Sequence, residues 1–306
     1  MISVAFTSYN GALYIREQLD SILNQTIQNF ELVICDDCST DNTWTIIEQY
    51  ATKDSRIRSY RNEKNLGFVK NFEKAISLCG EEYIALSDQD DIWTPNHLEV
   101  LFKNIGDYSI ACGDAELVNE EGVSWGYKLS EIDRVDVLPQ NEIDRAYRLL
   151  FFGNPYQGAS MLIKREFLEY ALPIPDTNCH DIWFATLACF KGGLKFVDEV
   201  VTYYRQHDNN ATVHDKWTVF KAIKRLKPFS YYLTDRQLIS EEILLRIKNL
   251  SIDEKNVLVE SIQFHSKKAT FIGRLQNLKV LLKNYSRIYT THSKSLLVPR
   301  LLKSLL

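Results

Sequence analysis

Three carboxylates crowd into four positions where an apolar run ends: Tyr83-Ile84-Ala85-Leu86 leads into Ser87-Asp88-Gln89-Asp90-Asp91. Like charges this close repel and raise one another's pKa unless a cation neutralises them. Oxygen-only donors suit a hard divalent ion, Mg²⁺ or Mn²⁺, which keeps waters and takes further ligands from a substrate phosphate. The plain alternative is a solvated acidic turn ahead of a helix that begins near Pro95.

Other polar groups stand at comparable places. Thr7-Ser8-Tyr9-Asn10-Gly11 follows the first apolar run, and Asp36-Asp37-Cys38-Ser39-Thr40-Asp41 follows the second. Later come His180-Asp181 and Tyr204-Arg205-Gln206-His207-Asp208-Asn209-Asn210. Cys35-Asp36-Asp37-Cys38 has the CxxC spacing of redox and zinc motifs, but no second CxxC or suitable His pair completes a zinc site. Two ordinary thiols flanking two functional aspartates is the better reading.

The segments that must position these residues alternate in type. Residues 2–6 and 30–35 read as strands, 56–60 as a short third and 82–86 as a fourth. Between them, residues 11–23 place apolar side chains at helical spacing, a helix from Asp41 carries Trp44, Ile47 and Ala51 on one face, and 67–78 is helical. This pattern predicts βαβ units, a parallel sheet and right-handed crossovers. Ligands bind such sheets at the carboxyl ends of the strands. Thr7, Asp37 and Asp88 all lie just past predicted strand ends and are expected to converge on one crevice.

Past residue 106 the pattern is mixed. Strands are predicted at 109–112, 161–163 and within 194–204, helices at 141–152 and 181–190, and a loop over 116–140. After Asp215 the chain reads as helical, with capping boxes at Thr234…Gln237 and Ser251…Glu254.

The bulk properties narrow the class. A chain of 306 residues with 45% hydrophobic content is long enough for a large packed core. No stretch approaches the roughly 18 apolar residues of a spanning helix. Met1-Ile2-Ser3-Val4 enters a strand pattern without a charged leader, which argues against a signal peptide. The 6 cysteines form no dense disulfide framework and fit a reducing cytoplasm.

Taken in order, these motifs resemble inverting glycosyltransferases of family 2, which have the GT-A fold. The resemblance covers about the first 210 residues and includes Asp20-Ser21-Ile22-Leu23-Asn24-Gln25-Thr26 and the Asn65-Leu66-Gly67 turn. It implies an α/β domain at 1–214, with a nucleotide-sugar-binding half at 1–105 and an acceptor-binding half at 106–214. Thr7, Tyr9, Asn10 and Asp37 match the nucleotide pocket, with Asp37 accepting a base N–H. Asp88 and Asp90 correspond to the DxD pair, Asp90 as metal ligand and Asp88 toward ribose or a metal-bound water. Lys70, Arg205 and His207 are candidate diphosphate or metal contacts, with an ordinary ion pair as the alternative for Arg205. Asp181 matches the general base, and Gln157, Gly158 and His180 lie on the acceptor side. The string Ser-Asp-Gln-Asp-Asp-Ile-Trp with Tyr-Arg-Gln-His is most similar to bacterial rhamnosyltransferases of surface-polysaccharide assembly, implying a dTDP-rhamnose donor and a glycan or lipid-linked acceptor.

Two absences separate this chain from other readings. The Gln-x-x-Arg-Trp signature of processive synthases is missing, which points to a single addition. No G-x-G-x-x-G follows the first strand, against a dehydrogenase. A nucleotide-sugar-binding protein without catalysis and a nucleotidyltransferase remain as rivals.

Charge divides the chain. Residues 215–306 hold 18 Lys/Arg against 7 Asp/Glu, while the net charge of the whole is −4, so the body is strongly acidic. Lys216, Lys221, Lys224, Arg225 and Lys227 interleave with Trp217, Phe220, Ile223 and Leu226, and residues 296–306 are leucine-rich and basic. Such helices either lie on the anionic inner face of the cell membrane or pack as a bundle or dimer interface. No nucleic-acid-binding module accompanies the charge.

Overall fold

Alternate side chains of the central strands serve two different cores, and that division organises the molecule. The computed structural model describes residues 1–133, 141–151, 153–177, 179–207, 234–266, 277, 279–280 and 282–284. β1 (Ile2–Ser8), β2 (Phe30–Asp36), β3 (Ile57–Arg61) and β4 (Tyr83–Ser87) are parallel, in the order β3-β2-β1-β4. Val4, Phe6, Leu32, Ile34 and Ala85 join one apolar cluster, and Ala5, Val33, Cys35, Ile84 and Leu86 join the other. The period of two in a pleated strand requires this division.

Helices close both faces. α1 (Ile15–Leu23) and α2 (Thr43–Ala51) cover the first cluster, α3 (Phe68–Leu78) the second, and α4 (His97–Ile105) the first again. α2 buries Thr43, Ile46 and Ile47, so its inner face is turned slightly from the expected one, and Trp44 and Ala51 are half-buried.

The second half extends the sheet with mixed pairing. β5 (Ile92–Trp93), β6 (Ile110–Val118), β7 (Ser124–Lys128), β8 (Met161–Lys164) and β9 (Leu194–Arg205) complete the order β3-β2-β1-β4-β8-β6-β9-β5, with β7 on β6. β8 runs antiparallel to β4 and β6, whereas β6 and β9 are parallel. The helices of this half are α5 (Leu129–Asp133), α6 (Glu142–Phe151), α7 (Leu168–Ala171) and α8 (His180–Ala188). The result is a mixed α/β, Rossmann-like sheet flanked by helices. The loop expected over 116–140 is instead a β6–β7 hairpin followed by α5, up to residue 133. Gly122 and Gly126 adopt φ of +76° and +71° in this hairpin.

Two C-terminal helices, α9 (Thr234–Arg246) and α10 (Ile252–Ser266), pack on the second core. Ile239, Ile243, Leu258 and Phe264 join Leu149, Leu150, Trp183 and Phe184 there. Tyr147 Oη donates to Glu260 at 2.7 Å, and His265 Nε2 lies 3.0 Å from the Leu150 carbonyl. Ser251 N–H donates to Glu254 at 2.6 Å and Glu254 N–H to Ser251 Oγ at 3.3 Å, so this capping box forms. Residues 234–266 thus pack against the body. The basic segment 216–227, residues 296–306 and the Thr234 side chain lie outside the described residues. Among the described residues no helix is long and apolar enough to cross a membrane.

Candidate active site

β1, β2 and β4 end at one edge of the sheet, where Ser8 pairs with Asp36 and Phe6 with Ser87. Side chains lace the following loops together. Gln89 Oε1 accepts the Tyr9 N–H at 2.8 Å, and Gln89 Nε2 donates to the Tyr9 carbonyl at 2.9 Å. Gly11 makes room for this clamp, since a Cβ there would sit 2.0 Å from Gln89 Oε1. Asn10, at φ +49°, donates its N–H to Ser39 Oγ at 2.9 Å and accepts the Thr40 N–H at 2.8 Å. Asp36 is fully buried and accepts from Ser8 Oγ, Ser39 Oγ and Ser39 N–H. Thr7 is buried at the end of β1, and the Tyr9 side chain is exposed.

Asp37 has a structural task on the page. Its carboxylate accepts Asn62 Nδ2 at 2.7 Å, Leu66 N–H at 2.8 Å and Gly67 N–H at 2.9 Å. It therefore pins the Asn65-Leu66-Gly67 turn, in which Gly67 has φ +82°. A carboxylate offers about four acceptor positions, leaving one for a ligand. All six cysteines are free; Cys35 is buried, and burial pushes its thiol up to about 11.

Asp90 and His207 come from opposite ends of the domain and meet, with Asp90 Oδ2 2.8 Å from His207 Nε2. The His207 ring stacks on Tyr14, with centroids 4.8 Å apart. Burial and the charges of Asp90 and Asp181 push the Asp88 carboxyl up to about 8. Asp91 is fully buried; Oδ1 accepts the Arg205 N–H and Oδ2 accepts Gln157 Nε2, each at 3.1 Å. Burial and the charges of Asp90 and Asp88 raise its carboxyl well above the ordinary range. A site that raises carboxyls in this way favours a bound cation or proton. Among the described residues no three His, Cys, Asp or Glu side chains form a ready-made cation cage. One carboxylate and one imidazole, with Asp88 beside them, fit a Mg²⁺- or Mn²⁺-type ion that fills its other positions with water and phosphate oxygens.

Asp181 stands in the first turn of α8, a favourable end of a helix for negative charge. Its Oδ1 accepts the Ile182 N–H at 2.6 Å. His180 is buried, 4.1 Å from Phe72 between ring centroids and edge-on to Phe68 and Phe184. Among the described residues neither of its ring nitrogens has a hydrogen-bond partner, and burial lowers its pKa, which favours the neutral ring. A Cβ on Gly158 would lie 2.7 Å from His180 Nε2 and 3.6 Å from Asp181 Cβ. The Gln157-Gly158 loop therefore sits directly against His180-Asp181, while Gln157 also bonds Asp91 and accepts from Ser160 Oγ.

Lys70 and Arg205 both bond to other parts of the protein. Lys70 Nζ donates to Glu73 at 3.0 Å and to the Ile174 carbonyl at 2.8 Å, tying α3 to the segment before α8. The Arg205 guanidinium donates to the Asp90 carbonyl at 2.9 Å, to the Glu120 carbonyl and to Glu17, and lies 5.0 Å over the Tyr14 ring. It holds the loop that carries Asp90. Sequence reading assigned no individual role to Gln89 or Asp91 and passed over Tyr14 and Glu17. Gln89 and Asp91 lay inside the acidic motif, whereas Tyr14 and Glu17 gave no signal beyond a shared helical face.

A sequence profile of Glycosyl transferase family 2 matches residues 3–170. The chain belongs to that family. It is a glycosyltransferase of GT-A architecture, using nucleotide sugars. An uncharacterized glycosyltransferase of Haemophilus influenzae is 29% identical over 284 residues, covering 86% of this chain and 84% of its own. The Escherichia coli UDP-Glc:alpha-D-GlcNAc-diphosphoundecaprenol beta-1,3-glucosyltransferase WfgD is 34% identical over 127 residues, 40% of this chain and 49% of that one. In fold, the glycosyltransferase is similar to S. aureus TarS 1–349 solved with UDP-GlcNAc, at TM-score 0.61 and 18% identity over 99% of this chain and 88% of that one. The mannosyltransferase PcManGT of Pyrobaculum calidifontis, solved with GDP-Man and Mn²⁺, gives TM-score 0.58 and 18% identity over 94% and 73%.

Proposed function

We propose that this glycosyltransferase is metal-dependent and inverting, and that it moves one sugar from a nucleotide diphosphate-sugar to a hydroxyl of a cell-surface glycan or lipid-linked acceptor. The observation that carries the reading is the meeting of Asp90 with His207 beside Asp88, in electrostatic reach of Asp181. Thr7, Tyr9, Asn10 and Asp37 form the nucleotide side: the exposed Tyr9 ring is available to stack on a base, and Asp37 keeps one acceptor position for a base N–H. Asp90 and His207, with Asp88, would hold the divalent ion, which supplies Lewis-acid compensation for charge developing on the diphosphate. Asp181 takes the proton of the acceptor hydroxyl as the new glycosidic bond forms, on the face opposite the departing diphosphate. Gly158 lets the acceptor-side loop approach that carboxylate. Neutral, buried His180 shapes the wall beside it.

The motif set favours dTDP-rhamnose as donor, and the glucosyltransferase WfgD, named for a diphosphoundecaprenol-linked acceptor, supports a lipid-linked acceptor class. The basic surplus of 215–306 supports contact with an anionic membrane surface, the place where such an acceptor resides.

A thermal-shift panel of nucleotide-sugars with and without Mn²⁺ tests the donor side, because a ligand selective for the native state raises the melting temperature. The expected result is a shift that requires Mn²⁺, largest for dTDP-rhamnose. Turnover with an acceptor then releases nucleoside diphosphate. Pyrophosphate would mark a nucleotidyltransferase, and binding without turnover a binding protein. Asp181→Ala should lose about 10²–10⁴-fold in turnover while binding the donor normally. Full activity in that variant removes the base assignment.

A further inference from the structure

Asp37 stands just past β2, and the protein itself nearly fills its carboxylate. Oδ1 accepts Asn62 Nδ2 at 2.7 Å and the Leu66 N–H at 2.8 Å, while Oδ2 accepts the Gly67 N–H at 2.9 Å. A carboxylate offers about four acceptor positions. The one left among the described residues is therefore on Oδ2, and that fixes which atom meets a ligand. An acceptor of this kind welcomes an N–H and repels a lone pair.

Asn62, the side chain that takes Oδ1, is itself locked. It follows β3 directly, is 5% exposed, and donates its backbone N–H to the Asp36 carbonyl at 2.8 Å. Its Nδ2 also donates to Asn71 Oδ1 at 2.9 Å, and Asn71 Nδ2 donates in turn to the Cys35 carbonyl at 2.8 Å. Asn62 Oδ1 accepts Lys74 Nζ at 2.7 Å. Asn71 and Lys74 both belong to α3. Turning the Asn62 amide over would set its NH₂ against the ammonium and its oxygen against Asp37 and Asn71. Only one orientation therefore satisfies every partner. A hydrogen bond from an ammonium to the amide oxygen also polarises that amide, which strengthens the N–H facing Asp37.

We propose that Asn62 is a positioning residue for the nucleotide donor: oriented by Lys74 and Asn71, it occupies Oδ1 of Asp37 and leaves Oδ2 alone to read the base. Asp37 as the acceptor of a base N–H is the assignment on which this rests. The arrangement gives the donor a chemical class. Uracil, thymine and guanine carry a ring N–H on their pairing edge and are accepted. Cytosine and adenine present a bare ring nitrogen at the same place and are refused, because two lone pairs would then face each other. Without Asn62 the carboxylate loses the donor that holds Oδ1, and discrimination falls although Asp37 is still present.

Calorimetric titration of the full chain in the presence of Mn²⁺ tests this, with UDP against CDP and GDP against ADP. In each pair the first base carries the ring N–H and the second does not, while the diphosphate is the same. The ratio of affinities within a pair therefore reports on the edge of the base. A general loss of structure or of metal binding weakens both members and leaves the ratio unmoved. The wild type should favour the N–H base at least about tenfold in at least one pair. Asn62→Ala should lower that ratio at least about threefold, and Lys74→Met, which keeps Asn62 in place, at least about twofold. Lys74→Met carries the test if Asn62→Ala fails to fold, and an unchanged ratio in either variant overturns the proposal. Asp37→Ala reads the underlying assignment separately and should abolish the preference. No preference in the wild type, or one that survives in Asp37→Ala, sinks the base-reading role of Asp37 and the proposal with it. A preference lost in Asp37→Ala but intact in Asn62→Ala sinks only the role of Asn62.

Discussion

His207 Nε2 and Asp90 Oδ2 lie 2.8 Å apart although 117 residues separate them, and both side chains are largely shielded from solvent. The contact is held from both sides. Tyr14 stacks on the imidazole, and Arg205, two residues before it, bonds the carbonyl of Asp90 itself. An imidazole and a carboxylate fixed in this way place two ligand atoms side by side for an ion. His207→Ala should therefore weaken Mn²⁺ binding by at least about tenfold, and Asp90→Asn by more. Titration followed by electron paramagnetic resonance reads both values. Unchanged affinity in the two variants would remove this pair from the metal site.

Arg205 and Glu17 form an ion pair with unequal partners. The Arg205 side chain is 1% exposed, that of Glu17 55%. Exposed partners contribute little, so Glu17→Gln should cost less than about 1 kcal/mol. Arg205→Ala removes the donor from the Asp90 and Glu120 carbonyls as well as from Glu17, and should cost about 3 kcal/mol or more. Urea denaturation of the two variants compares them directly. Equal losses would show that Arg205 acts through Glu17 alone.

The Asp88 carboxyl gives a pH dependence with a definite sign. Its ordinary value of 3.8 is pushed up to about 8 in the folded protein by burial and by Asp90 and Asp181. The folded state then holds a proton that the unfolded chain releases. This contribution to stability is complete below pH 3.8 and is lost as pH rises toward 8. His97, drawn from 6.5 down to about 3 by burial, acts oppositely: its contribution is present above pH 6.5 and lost as pH falls toward 3. Asp88→Asn isolates the first effect. Between pH 6 and 8, the melting temperature of the metal-free wild type should fall relative to that of the variant, and Mn²⁺ should abolish the difference by replacing the proton. Parallel melting curves over that interval contradict it.

The N-terminal half was legible because its alternation of apolar strands and amphipathic helices is local. Asp37 and Asp88 follow, and Thr7 lies near the end of, strands that finish at one sheet edge, and the Ser251–Glu254 box could be read from two residues alone. Lys70 and Arg205 make contacts that no local pattern reveals. Their partners, Ile174 and Glu17, lie 104 and 188 residues away in sequence, and a cation near a phosphate site looks the same from sequence whether it faces ligand or clamps a loop. Gln89 shows the converse. It sits between two acidic residues whose types advertise chemistry, yet its own work is to clamp the backbone of Tyr9.

Gly158 offers the most direct test of how the acceptor side is built. Its missing side chain is what lets the loop after Gln157 rest on His180, whose Nε2 would be 2.7 Å from an added Cβ. His180 cannot move aside easily, because Phe72 packs 4.1 Å from its ring and Phe68 and Phe184 close the flanks. Gly158→Ala must therefore displace the loop or the start of α8, and with it Asp181. A shift of about 1 Å at a reacting group is enough to cost on the order of 10²-fold in rate. The nucleotide side, built from β1, β2 and β4, is untouched. The variant should bind donor and Mn²⁺ like the wild type and lose about 10²-fold in turnover, with the loss relieved when His180→Ala is added to make room. Normal turnover in Gly158→Ala would mean that Asp181 is not positioned through this contact.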